Sequence, residues 1–325
     1  MTALPNFQDV QMAAERIEGH AYKTELLRSD VIDVMTGKSV WFKPECLQKV
    51  GAFKYRGAFN RLSAMSKKER EKGVVATSSG NHAQGVSRAA KELGIDAVII
   101  MPTDAPDVKT AGVLNDGATI ISYDRLTESR EEIAREISKQ EGRIIVPSYD
   151  DPYIISGQGT VGLEIARSGI SFDALITCMG GGGLCAGISL SLGELSPRTK
   201  IYGAEPQYYN DHQMSFNTGS RETLSDMPPT LCDALMTPQP GALTWPINRQ
   251  SLSGVFAISD MDCLMSMAIA KKELNVQLEP GGAVAMAALL TGALSEMKDL
   301  STICIILSGG NVDPNIAQRA DKLLD

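Results

Sequence analysis

The chain has 325 residues, 43% of them hydrophobic and 22% charged, with 31 Lys and Arg against 39 Asp and Glu for a formal net charge of −8. That length supports one large or two medium domains with buried cores, and the acidic balance argues against a nucleic-acid surface. The longest apolar stretch, around Ala283 to Leu290, falls well short of the roughly 20 residues of a membrane span, and Met1 to Val10 lacks the basic-then-apolar order of a signal peptide.

In chain order, short apolar runs predict buried strands at Val74 to Ala76, Ala97 to Met101, Thr119 to Ser122, Ile144 to Val146, Ala174 to Cys178, Ile201 to Ala204 and Ile303 to Leu307. Helical spacing falls between them at Gln84 to Leu93, Pro106 to Leu114, Ser129 to Lys139 and Gly159 to Arg167. Pro106 suits the first turn of its helix, where a missing N–H costs nothing. Such alternation predicts βαβ units and parallel sheets covered by helices, with ligands at the carboxyl ends of the strands. Asp211 to Ser259 is richer in Pro, Gly and polar residues and reads as long loops with short helices. The 6 cysteines are scattered with no CxxC pair, several in apolar runs. They read as reduced thiols of a cytoplasmic chain. His20, His82 and His212 lie too far apart for a zinc pattern.

Four motifs follow such runs or stand near them. Gly51-Ala52-Phe53-Lys54-Tyr55-Arg56-Gly57 sets a lysine among aromatics and glycines. Either Lys54 snorkels from a helix start, or it is a desolvated Schiff-base nucleophile. Thr77-Ser78-Ser79-Gly80-Asn81-His82 packs hydroxyls and an amide into a turn before a helix. A helix cap accounts for one such residue; four polar neighbours beside a glycine suit a carboxylate cradle. Gly180-Gly181-Gly182-Gly183-Leu184 offers backbone N–H groups to a phosphate. Gly181, Gly183 and Ala186, with Glu205 ending the next strand, equally satisfy a dinucleotide fingerprint. Ser308-Gly309-Gly310-Asn311 is either a plain glycine turn or a hydroxyl presented to a ring nitrogen.

Taken together and in this order, the four motifs resemble the fold-type II pyridoxal-phosphate family, within it the serine/threonine dehydratases and serine racemases. The resemblance spans about Thr24 to Asn315. A dehydrogenase would need neither Lys54 nor the Ser-Ser-Gly-Asn-His run, so the dinucleotide reading falls behind. The resemblance implies a two-domain α/β fold of the tryptophan-synthase-β type, with parallel sheets and helices on both faces. Residues 1–59 and 148–325 would form the large cofactor domain, and 60–147 a small mobile one.

The same resemblance implies that Lys54 bonds the cofactor, Phe53 packs on its ring, Asn81 meets its phenolic oxygen, Gly180, Gly181, Gly182, Gly183 and Leu184 hold its phosphate, and Ser308 faces its pyridine nitrogen. Ser78, Ser79 and His82, helped by Arg130, would take the substrate carboxylate, with Asp233 close by. Glu205, the backbone of Tyr209 and Asp211 would hold a divalent cation such as Mg²⁺, oxygen donors that suit it. The implied reaction removes water and then ammonia from a small 3-hydroxy amino acid of the L-threonine/L-serine type, giving a 2-keto acid. The alternatives are 3-hydroxyaspartate dehydratase and serine racemase, the latter needing Ser79 as an acid on the second face. A homodimer is expected. The chain ends soon after Asn311, so no isoleucine feedback is expected. Ala52, Cys232 and Ala234 depart from the family's usual residues, the last two near the substrate.

Overall fold

The computed structural model describes residues 3–105 and 107–324. Its strands form two sheets. Strands β1 (Ser39–Lys43), β6 (Ala174–Cys178), β7 (Lys200–Pro206), β8 (Leu252–Ile258) and β9 (Thr302–Ile306) build a 5-stranded sheet in the order β1-β9-β6-β7-β8. Strands β2 (Val74–Thr77), β3 (Ala97–Pro102), β4 (Thr119–Tyr123) and β5 (Ile144–Ile145) build a 4-stranded sheet in the order β4-β3-β2-β5. All strand pairs are parallel. The α/β expectation is met, and so is its physical reason. Strands β3 and β6 are buried along their whole length, as continuous apolar runs are when helices cover both faces.

Two readings need correction. The stretch Asp211 to Ser259 is not all loop and short helix: it contains β8, which carries Gly254 and buries only Leu252, Val255 and Ile258. The helix read from Gly159 begins at Pro152, with Asp151 capping it through the N–H groups of Tyr153 and Ile154. Its glycines look helix-breaking, yet they let helices meet. A Cβ at Gly157 would stand 2.6 Å from the Gly57 Cα, and one at Gly187 2.3 Å from the Ile155 carbonyl oxygen. Pro106 lies outside the described residues; its helix is described over Asp107–Asn115.

The helix Lys54–Ser63 is pinned two residues past its first lysine. Arg56 is fully buried, with Nε and Nη2 donating to Glu45 at 2.7 and 2.8 Å and Nη1 donating to Glu164 at 2.6 Å. Lys43 completes the cluster through Glu164. Burial alone would raise the Glu45 carboxyl, but Arg56 and Lys43 hold it below the usual carboxylate range. Replacing one member of such a pair strands a buried charge. Arg56→Met is therefore expected to cost about 3–5 kcal/mol in urea unfolding. The double change Arg56→Met with Glu45→Gln should cost markedly less, since little uncompensated charge is left behind.

All six cysteines are free and buried. The Cys232 and Cys263 sulfurs stand 3.8 Å apart.

Candidate active site

A cavity of about 640 Å³ opens beyond the carboxyl ends of β2, β6 and β9, and residues after strands of both sheets line it. Phe53, Lys54, Ser78, Ser79, Asn81, His82, Arg130, Gly180 to Leu184, Asp233 and Ser308 all reach it. The structure thus brings together every residue expected to touch cofactor or substrate. Glu205, Tyr209 and Asp211 do not line it, which also removes Glu205 from any ribose-binding role in this cavity.

Lys54 opens its helix, and its amine donates to the Ser148 carbonyl at 2.7 Å, 5.1 Å from the centre of the Phe53 ring. Burial lowers its pKa to about 8, so a sizeable share of the amine is neutral and nucleophilic near neutral pH. Facing it is the turn after β2. The helix Asn81–Leu93 has Gly80 at its N-cap and no side-chain cap, so capping does not account for the polar run. Ser78 accepts the Gly80 N–H at 3.1 Å, and the Ser79 hydroxyl has no hydrogen bond among the described residues. His82 is buried, and a carbonyl can only accept, so its Nε2–H donates to Val146 O at 2.9 Å. Its Nδ1 has no partner among the described residues. Burial, with the Lys54 charge, pushes the imidazole down to about 3, so it is neutral. A helix N-terminus with free donors suits a carboxylate.

Asn81 is held on both sides of its amide. Its Nδ2 donates to Glu279, and its Oδ1 accepts from Asn311 Nδ2 at 2.7 Å. The same Asn311 nitrogen reaches Val50 O at 2.7 Å, and Val50 has φ 58, unusual for a β-branched residue. Burial and the Asp233 charge push Glu279 up to about 7. Between about pH 4.5 and 7, then, the native state keeps a proton that the unfolded state has released. Stability therefore falls as pH rises through that window. Glu279→Gln should flatten this dependence by about 2–3 kcal/mol in urea midpoints compared on either side of it.

The glycine loop joins β6 to the helix Gly183–Leu195. Gly182 has φ 86, and a Cβ at Gly181 would stand 2.2 Å from the Tyr149 ring, so a side chain there has no room. Ser308, at the end of β9, lies 3.5 Å from Gly281 O. On the rim, Arg130 donates to Glu131 at 2.8 Å, and Lys109 pairs with Asp233 at 2.6 Å. Asp233 is thereby an ion-pair partner, a role its sequence context does not reveal.

Behind the loop, Glu205 accepts the N–H groups of His212 and Gln213 at 3.3 and 2.7 Å. Both Asp211 carboxylate oxygens are buried without a partner among the described residues. Burial raises both carboxyls, Asp211 to about 8. Among the described residues no group of three or more His, Cys, Asp or Glu is placed to hold a metal. A cation here would rest on two carboxylates and a backbone oxygen.

Sequence reasoning missed Glu279, Lys109 and Tyr149. Glu279 carried one local signal, an acid directly before Pro280-Gly281-Gly282 and a wholly apolar helix; the other two carried none.

A buried amine, a glycine loop with N–H groups that lack backbone acceptors among the described residues, and a hydroxyl-rich turn share one cavity and could hold a phosphorylated aldehyde ring and an amino acid. Residues 17–309 match the family described as pyridoxal-phosphate dependent enzymes. The chain is 43% identical to L-threo-3-hydroxyaspartate ammonia-lyase of Pseudomonas sp, covering 95% of this chain and 96% of that one. It is 37% identical to the catabolic L-threonine dehydratase of Escherichia coli, covering 98% and 96%. The solved structure of maize serine racemase superposes with a TM-score of 0.93 at 37% identity, covering 99% and 98%.

Proposed function

Since the chain belongs to the pyridoxal-phosphate dependent enzymes, we propose that it eliminates water and then ammonia from a small 3-hydroxy amino acid, releasing a 2-keto acid. The observation that carries this reading is the desolvated Lys54 amine facing the Ser78-to-His82 turn across one cavity. Pyridoxal phosphate, when bound, supplies an electron sink for charge developing at the substrate α-carbon. The Gly180-to-Leu184 loop would hold its phosphate, Asn81 its phenolic oxygen and Ser308 its ring nitrogen.

The remaining work falls to the chain's own side chains. Ser78, Ser79, the N-terminus of the helix Asn81–Leu93 and neutral His82 bind and orient the α-carboxylate. Lys54, once free, takes the α-proton as general base, its lowered pKa matching it to neutral pH. Ser308 carries no charge, so it does not hold a proton on the ring nitrogen as a carboxylate would. That limits electron withdrawal and favours loss of the β-hydroxyl over transamination. Segment 60–147 acts as the small domain and closes over substrate, with Lys109 and Asp233 as one ion pair across the mouth.

A second reading concerns the substrate's far end. Lys109, Arg130, Arg135 and Arg221 all line the cavity. Lys109 and Arg130 already face acids, whereas Arg221 donates to the neutral Gln239. An uncommitted cation on this wall favours a dicarboxylic substrate, 3-hydroxyaspartate, over threonine. The test is spectral titration of the holoenzyme with L-threonine, L-serine and 3-hydroxyaspartate in turn, with keto-acid release followed in parallel. Release from 3-hydroxyaspartate that falls at least about tenfold in Arg221→Met supports the dicarboxylate reading. Release from none of the three removes the lyase assignment.

We also propose a divalent cation between Glu205, Asp211 and the Tyr209 carbonyl, supported by the unpartnered Asp211 oxygens. A chelator should lower the melting temperature of the parent and leave Asp211→Asn unmoved.

A further inference from the structure

The glycine loop is gripped from behind. Three consecutive carbonyls each accept a side-chain donor: Gly180 O from His212 Nε2 at 2.9 Å, Gly181 O from Thr244 Oγ1 at 2.6 Å, and Gly182 O from Asn248 Nδ2 at 3.1 Å. All three donors are fully buried. They converge on Gly182, where a Cβ would stand 2.5 Å from Asn248 Nδ2, 2.8 Å from His212 Cε1 and 3.0 Å from Thr244 Oγ1. Thr244 and Asn248 share one face of the helix Thr244–Ser251. That helix is fixed in turn by Asp150, which accepts the N–H groups of Ala242, Leu243 and Thr244.

A trans peptide is planar, and its N–H points opposite to its C=O. Tying three successive carbonyls to one side turns the next three N–H groups, those of Gly181, Gly182 and Gly183, to the other. The N–H groups of Gly181, Gly182 and Gly183 have no backbone acceptor among the described residues, and the loop faces the cavity. Glycine is the most mobile residue in a chain; a loop of four would otherwise have to be ordered by its ligand, at a cost in affinity.

We propose that His212, Thr244 and Asn248 are positioning residues that preset the glycine loop for a phosphate. They touch neither cofactor nor substrate and act only through the loop's carbonyls. The proposal rests on the reading that this loop takes the cofactor's phosphate. His212 must donate from Nε2, because the Gly180 carbonyl it meets at 2.9 Å can only accept.

The experiment titrates cofactor-free protein with pyridoxal phosphate and, separately, with pyridoxal, following absorbance and tryptophan fluorescence. Thr244→Val and His212→Phe are each expected to weaken pyridoxal phosphate about tenfold while changing pyridoxal less than about twofold. Thr244→Ser and His212→Gln keep a donor in place and should restore most of the loss; they also show whether the site tolerates substitution. Equal weakening of both ligands, or none, overturns the positioning role. Equal affinity of the parent for both ligands instead removes the phosphate reading of the loop itself.

Discussion

Lys54→Ala is expected to lose the long-wavelength absorbance of lysine-bound cofactor and at least about four orders of magnitude of keto-acid release together. One side chain serves as cofactor anchor and as general base, so its removal strips two functions at once. The coupled readout matters because a misfolded variant would also be inactive. Lys54 sits at the start of a helix whose anchorage comes from Arg56 and Gly57, not from Lys54 itself. The variant should therefore keep its far-ultraviolet spectrum and its urea midpoint, or gain slightly, since a desolvated ammonium is no longer buried. Keto-acid release within tenfold of the parent would show that another group is the base.

Ser79→Ala is expected to abolish interconversion of L- and D-serine, by at least about a hundredfold, while elimination from the L-enantiomer falls less than about tenfold. Ser79 lines the same cavity as Lys54 and, unlike Ser78, has no hydrogen-bond partner among the described residues. On the proposed reading, the Ser79 hydroxyl across the cavity from Lys54 would supply the second acid that inversion at the α-carbon requires. Elimination needs no group on that face. Chiral chromatography of serine run beside the keto-acid assay separates the outcomes. A parallel fall in both activities would make Ser79 a carboxylate ligand and nothing more.

The sheet interiors were legible because runs such as Ala174-Leu175-Ile176-Thr177-Cys178 are apolar without a break, which strands covered on both faces require. Strand β8 was not, since only part of its face is buried and it lies in a Pro- and Gly-rich stretch. The start of the helix Pro152–Ala166 was hidden by glycines whose use appears only where helices meet. The site divides along the same line. Groups that meet a ligand announce themselves locally, as Lys54 and the glycine loop do. The groups that hold them in place, Glu279 against Asn81 and Asn248 against Gly182, are separated from them in sequence by long stretches of chain and carry no local mark.

The six buried thiols make the chain its own recorder of breathing. Burial pushes Cys46, Cys185 and Cys304 up to about 12, leaving almost no thiolate to react while the structure is closed. A thiol reagent in excess therefore modifies each cysteine only as often as its surroundings open. Cys178, beside the cavity, would time the openings that admit cofactor, and Cys304, inside β9, those of the central sheet. Mass spectrometry of the modified peptides would read both clocks from one sample.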